Sequence, residues 1–319
     1  MGESPTIVDV LARTNLELAW SEVRAKHGAP GVDDVSVTRW ERHWMENLDR
    51  LSYMVRTNTY RPNRPRRYRV SKKDGGWREL SILTVSDRVL QRAVLNVLMP
   101  AFEQVFLSGS YGYRPKRNVA QAVEYVLQSR DDGYLWVLDA DIDSCFDSLQ
   151  HRLIMDEIQR LVNSPLLLKL MELWLEVGTR GKPLVIKPKP QNKKCGIPLG
   201  AVISPLLCNV VLHQFDLTLE QAGWQWVRYA DDFLVLTRTE EEAMKVWDVV
   251  EGALSNLQLR YEPSKTWVTS FDKGFKFLGV TFQKDRYWYS YNGVRIEVHG
   301  RNVQVIEEKP PAGYEAWVW

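Results

Sequence analysis

The stretch "VRYADDFLVL", residues 227–236, sets Asp231 and Asp232 side by side inside an apolar run. A carboxylate placed in such a run is costly unless the pair lies at an exposed turn or meets a cation. Upstream, "LWVLDADI" is a second apolar run that ends in acids, with Asp141 near its close. If the two runs are neighbouring strands, Asp141, Asp231 and Asp232 converge at one end of a sheet. Clustered carboxylates offer hard oxygen donors, which suit Mg²⁺ better than Zn²⁺. Two such ions about 3.5–4 Å apart can activate an attacking hydroxyl and stabilise a leaving pyrophosphate. Aspartate is also ordinary in hairpin turns, so the pair alone does not establish a metal site.

The charge distribution adds weight. The formal net charge is only +2, yet eight Lys/Arg between Arg61 and Arg78 face a single acid, Asp74. Six more between Arg180 and Lys194 face none. With Tyr68 and Trp77 interleaved in the first tract, the pattern fits a track for a polyanion. Cys145, Cys195 and Cys208 lie far apart, which excludes a thiolate zinc site and a disulfide framework and fits a reducing cytosol. No stretch approaches the ~18 apolar residues of a membrane span, and no secretory signal is visible. The expectation is a soluble cytoplasmic protein with no membrane partner.

Elements that could position these residues are legible. Two amphipathic helices fill most of the first sixty residues, and "YRPNRPRRYRVSKKDGGWRELSIL" reads as two strands around Gly75-Gly76. A helix from Ser86 is expected to be interrupted near Pro100. "AVISPLLCNVVLHQFDLTLEQAG" reads as a long apolar helix before the strand–Asp-Asp–strand hairpin. Thr239 and Glu242 then form a capping box that opens another helix, followed by the strands "KTWVTSF" and "FKFLGVTF". The order of strand, helix, hairpin, helix and strand predicts an α+β fold similar to the ferredoxin-like plan. "YWYSYNGVRIEV" predicts a hairpin turning at Asn292-Gly293.

These motifs together resemble the reverse transcriptases of the group II intron-like branch. Tyr229-Ala230-Asp231-Asp232 is similar to the family's YxDD box, and "DADIDSCFDSLQH" to its first catalytic motif. "SKKDGGWREL", "SYGYRPKRN", "GIPLGAVISPLLCN", "PSKTWV", "FKFLGV" and the N-terminal "GAPGVDDVSV" fall in the family's order. The resemblance implies right-hand polymerase fingers and palm, with the palm carrying the YxDD hairpin. It implies that Asp141, Asp231 and Asp232, with the Ile142 carbonyl, hold two Mg²⁺ ions. Lys265 would neutralise or protonate the leaving pyrophosphate, and Lys72 and Arg78 would hold the triphosphate. Phe146, five residues past Asp141, would stack under the sugar and exclude a 2′-hydroxyl. Gly200 and Ala201 would leave room for nucleotide and template. Arg114, Arg117, Tyr229, Phe277, Leu278 and Gly279 would meet nucleic acid. The partners implied are an RNA template, a DNA product and dNTPs.

By the same resemblance, residues 1–135 are mainly fingers and 136–155 carry the first palm strand. Residues 156–195 form fingers and palm helices with a basic loop, 196–282 form palm, and 283–319 form a short β-hairpin and aromatic tail. Two departures stand out. Leu199 replaces the glutamine usual before Gly200. Little chain follows Gly279, so a thumb is expected to be reduced or absent, and maturase and endonuclease regions missing. That outline resembles stand-alone bacterial reverse transcriptases of antiphage defence, type two-like, that copy a dedicated structured non-coding RNA. The alternatives are an intron-derived enzyme with maturase functions supplied in trans, a catalytically inactive RNA-binding scaffold, or another palm enzyme such as a cyclic-dinucleotide synthase.

Overall fold

A computed structural model describes residues 4–71, 77–179, 194–291, 294–299 and 302–307. The chain forms two compact units. The first contains Met1–Phe106, Ser144–Gln214 and Leu257–Leu259; the second contains Leu107–Asp143, Phe215–Asn256 and Arg260–Trp319.

The first unit is mostly helical. Helix Arg13–Ala25 buries Leu16, Ala19, Trp20 and Val23 against helix Val85–Glu103, which presents Val89, Leu90, Ala93, Val94 and Leu98. Thr84 caps that second helix by accepting from the Asp87 amide. The helix continues through Pro100 to Glu103, without the expected interruption. Pro100 falls in the last turn, where its missing N–H removes one bond, while buried Leu98 and Phe102 hold the turn in place. The N-terminal segment, in contrast, divides more than the periodicity suggested. Ile7–Val10 ends before Arg13–Ala25, and Val37–Glu41 ends before Trp44–Arg56. The basic hairpin pairs β1 (Arg66–Ser71) with β2 (Trp77–Ile82), antiparallel, with Tyr68 opposite Leu80 and Val70 opposite Arg78. Its Gly75-Gly76 turn lies outside the described residues, as do the Asn292-Gly293 turn, most of the second basic tract and the aromatic tail.

The second unit contains two antiparallel sheets. β3 (Trp136–Asp141), β4 (Gln225–Tyr229), β5 (Asp232–Thr237) and β6 (Trp267–Ser270) stand in the order β4-β5-β3-β6. With helix Ser204–Gln221 preceding β4 and helix Glu240–Asn256 following β5, this is the βαββαβ order expected from the sequence. The Thr239–Glu242 capping box forms: the Glu242 amide donates to Thr239 Oγ1 at 3.2 Å, and the Thr239 amide to Glu242 Oε2 at 3.4 Å. One sheet face, through Val137, Val227, Leu234 and Leu236, joins Val123 and Val126 of helix Val119–Asp131 and a group of phenylalanines. On the other face Phe233 meets Phe215 edge-on at 4.9 Å between ring centroids.

The second sheet begins with β7 (Phe275–Phe277) and β8 (Val280–Gln283), joined by a two-residue turn with Leu278 at φ 51° and Gly279 at φ 82°. It continues as a meander through β9 (Arg286–Tyr291), β10 (Val294–His299) and β11 (Asn302–Glu307). The sequence had suggested only an isolated hairpin after residue 283. The alternation in "NVQVIE" supplies a further strand, and its pairing joins the hairpin to β7 and β8 in five strands.

Candidate active site

The strand register places the candidate carboxylates. Asp141, the last residue of β3, stands directly opposite Asp232, the first residue of β5. β4 and β5 close on Tyr229 and Asp232, which leaves Ala230 and Asp231 as a two-residue turn. The Ile142 amide donates to the Asp231 carbonyl at 3.1 Å and ties the turn to the end of β3. Asp141, Asp231 and Asp232 are thus brought to one end of one sheet.

Lys265 joins them. Glu262 caps the short 3-10 turn Pro263–Lys265, and its amide donates to the Asp141 carbonyl at 2.8 Å. Lys265 Nζ then reaches Asp141 Oδ2 at 2.6 Å. Its half-exposed side chain keeps the exposed edge of the cluster positive.

A fourth carboxylate lies behind these. Asp139 precedes Asp141 by two positions, so strand alternation puts both on one face. Its side chain is buried, and its Oδ2 has no hydrogen-bond partner among the described residues. Burial, then the charge of Asp141, pushes its pKa up to about 7. Asp232 is pushed up to about 8, first by burial and then by Asp139, Asp141 and Asp231, with Lys265 opposing. Burial first, and the neighbouring aspartates second, thus favour the protonated form of both carboxyls. Sequence reasoning passed over Asp139, although the alternation in "LDAD" was the signal that could have found it.

These donors fit hard cations. Among the described residues, no three His, Cys, Asp or Glu side chains close around a single point as a ready cage. Mg²⁺ is commonly held by one or two carboxylates together with water and substrate phosphates, so the donor chemistry here matches its habits.

The first unit assembles other expected residues. Phe146 lies in the short helix Cys145–Ser148, and its carbonyl accepts from the Ile197 amide at 2.7 Å. The Ser81 amide of β2 donates to the Leu199 carbonyl at 2.7 Å. Gly200 has φ 98°, and a Cβ there would lie 2.6 Å from the Ser81 carbonyl oxygen, so close backbone approach requires glycine. Ala201 is buried beside it. Residues 196–201 therefore link the Phe146 helix to β2, which carries the exposed Arg78. Lys72 lies outside the described residues.

The remaining expected residues are more varied. Arg114 is only 7% exposed, and its Nη1 donates to the carbonyls of Leu107 and Ser110 at 2.6 and 2.8 Å. This geometry makes it a brace of its own loop. Arg117 donates to the Ser108 carbonyl at 2.7 Å and lies over the Tyr111 ring at 5.0 Å. Phe277 is buried in the phenylalanine cluster, with Tyr229 and Leu278 packed against it, while Gly279 faces open space at its turn. In the basic hairpin Arg67 pairs with Glu79 at 2.8 Å and Arg66 with Asp34 at 2.5 Å, so part of the positive charge is already compensated.

Comparison with known proteins agrees with this arrangement. The family profile described as "Reverse transcriptase (RNA-dependent DNA polymerase)" matches residues 70–282. The protein YkfC of Escherichia coli (strain K12) is 30% identical over 299 residues, an alignment covering 82% of this chain and 77% of YkfC. The group II intron-encoded protein LtrA of Lactococcus lactis subsp. cremoris is 28% identical over 172 residues, covering 54% of this chain and 28% of LtrA. An apo telomerase structure from Candida Tropicalis superposes with a TM-score of 0.52 at 13% identity, over 69% of this chain and 46% of that one, a likeness of fold alone. The chain is a member of the reverse transcriptase family, related to group II intron proteins.

Proposed function

We propose that this chain is an RNA-directed DNA polymerase that adds deoxynucleotides to a primer annealed on RNA. The observation that carries the reading is the convergence of Asp141, Asp231 and Asp232 at the end of β3 and β5, with Lys265 against Asp141. Asp141, Asp231 and Asp232, with the Ile142 carbonyl, would hold two Mg²⁺ ions. When bound, these supply the activation of the primer 3′-hydroxyl and the charge stabilisation of pyrophosphate. Lys265 can exchange its contact with Asp141 for a leaving-group oxygen, since its side chain is half exposed. Arg78 would grip phosphate with a planar fork, Lys72 as a point charge. Phe146 would present a flat wall to the sugar, and Gly200 and Ala201 would admit the nucleotide against the Leu199 turn. Arg117 and the Leu278-Gly279 tip are the nucleic-acid contacts that the geometry supports best. Right-hand polymerase fingers and palm complete the reading.

The template is proposed to be a dedicated structured non-coding RNA, and the setting antiphage defence. What supports this setting is the resemblance of the chain's ordered motifs to those of stand-alone bacterial reverse transcriptases. Likeness to LtrA favours the second reading, an intron-derived enzyme whose maturase functions come from elsewhere. Sequencing the RNA that copurifies with the protein separates them: an isolated short transcript supports the first, an intron the second.

The catalytic test is primer extension on RNA with Mg²⁺ and nucleic-acid-free protein. Wild type should extend, and Asp231→Asn should fall to background with an unchanged melting temperature. Extension by a variant in which both Asp231 and Asp232 are asparagine would end the assignment, and a wild type that binds RNA without extending it would favour the scaffold. Phe146→Ala should shift the dNTP/rNTP ratio of kcat/KM toward ribonucleotides by about 10- to 100-fold, the range that pocket shape commands. An active variant with an unmoved ratio would make Phe146 a packing residue.

A further inference from the structure

We propose that Arg228 is a positioning residue, whose buried guanidinium fixes the turn bearing Asp231 by holding the Ala230 carbonyl. The inference rests on the polymerase reading above. Arg228 lies on β4 one residue before Tyr229, so strand alternation points it away from the carboxylate face. It is fully buried, and so is Asp216. Nε donates to Asp216 Oδ1 at 2.7 Å, and Nη2 to Asp216 Oδ2 at 2.5 Å and to Ser110 Oγ at 2.9 Å. Nη1 donates to the Ala230 carbonyl at 2.9 Å.

A buried ion pair is a poor device for stability alone, because desolvation offsets the attraction and an apolar pair serves as well. What an apolar pair cannot do is donate to Ala230. That residue needs holding. Its φ of 62° lies in the left-handed region, at a hairpin position where glycine is favoured and alanine is strained. Such a conformation persists only where its surroundings over-determine it.

A second restraint comes from behind the turn. Residues 109–111 run beside β4: the Arg228 amide donates to the Gly109 carbonyl and the Tyr111 amide to the Arg228 carbonyl, both at 2.8 Å. Gly112 follows, so close to the turn that a Cβ would lie 2.3 Å from the Ala230 nitrogen. The turn is thus clamped by backbone on one side and by a guanidinium on the other. Displacement of Ala230 would move Asp231, which bonds Ile142, and would disturb Asp232 opposite Asp141.

The test removes both charges together. Arg228→Met with Asp216→Leu keeps the volume and leaves no buried ion unpaired. We expect a melting temperature near wild type, amide hydrogen exchange at residues 230–232 accelerated by about 10-fold or more, and kcat lowered about 100-fold with little change in KM for dNTP, the scale on which small misplacements act. Wild-type exchange and kcat in this variant would overturn the proposal and make the pair a core filler. Should the double variant fail to fold, Arg228→Lys decides the matter. It retains the charge facing Asp216 but lacks the fork to reach Ala230 as well, so the same split is expected, and wild-type values overturn the proposal. If wild type itself proves unable to polymerise, the polymerase reading fails separately, and the exchange comparison still judges the clamp.

Discussion

Two groups of buried charge lie on opposite faces of the sheet β4-β5-β3-β6. On one face Arg228 meets Asp216 through two bonds, and its remaining donors reach Ser110 and the Ala230 carbonyl. On the other face Asp139, Asp141 and Asp232 crowd together with Lys265 as the cation at the edge. The first group is compensated and closed to solvent. The second is raised in pKa and leaves a buried Asp139 oxygen without a hydrogen-bond partner among the described residues. The same sheet thus pairs one buried carboxylate with a guanidinium on one face and sets several carboxylates side by side on the other. Adjacent hard oxygen donors are what the proposed cation site requires.

The sharpest way to break this contrast is to make the closed group resemble the open one. Asp216→Ala leaves a fully buried guanidinium without its carboxylate, and should cost about 3–5 kcal/mol, the usual penalty for breaking a buried pair. Urea or thermal unfolding measures this directly. A loss under about 1 kcal/mol would mean that water enters and replaces Asp216.

A smaller effect is expected from pH on the open group. Asp232 and Asp139 titrate near 8 and 7 when folded, against 3.8 as the unfolded reference. The folded protein therefore holds protons that the unfolded chain has released, and the pair shares them as a unit. Stability from this cluster is full below about pH 4 and is lost as pH rises toward 8. Without divalent cation, melting temperature should fall between pH 5 and 8. The variant with Asp232→Asn should show a shallower slope, and equal slopes would place the charge excess elsewhere.

The open group was easier to read than the closed one. Asp141 and the Asp231-Asp232 pair stand out because charge interrupts apolar runs, and the period of two in a strand then places them on the sheet. Asp139 obeys the same period but sits among apolar neighbours, and its nearness to Asp232 shows only once β3 and β5 are paired. Arg228 was legible as a residue and not as a device, since its partners Asp216 and Ser110 come from a helix and a loop that only the tertiary fold brings together. The five-stranded meander was half seen, because a hairpin signal is local whereas joining it to β7 and β8 depends on pairing along the whole sheet. Arg114 is the opposite case: a basic residue expected to meet nucleic acid that the fold turns inward to the carbonyls of Leu107 and Ser110.

The central claim is that the open group carries negative charge which a divalent cation relieves. The direct measurement is the melting temperature of nucleic-acid-free protein at pH 8, with and without Mg²⁺, for wild type and for Asp232→Asn. The account predicts that Mg²⁺ raises the melting temperature of wild type and that the variant responds much less, starting from a higher value in the absence of the ion. An equal shift in both proteins, or none in wild type, would contradict it.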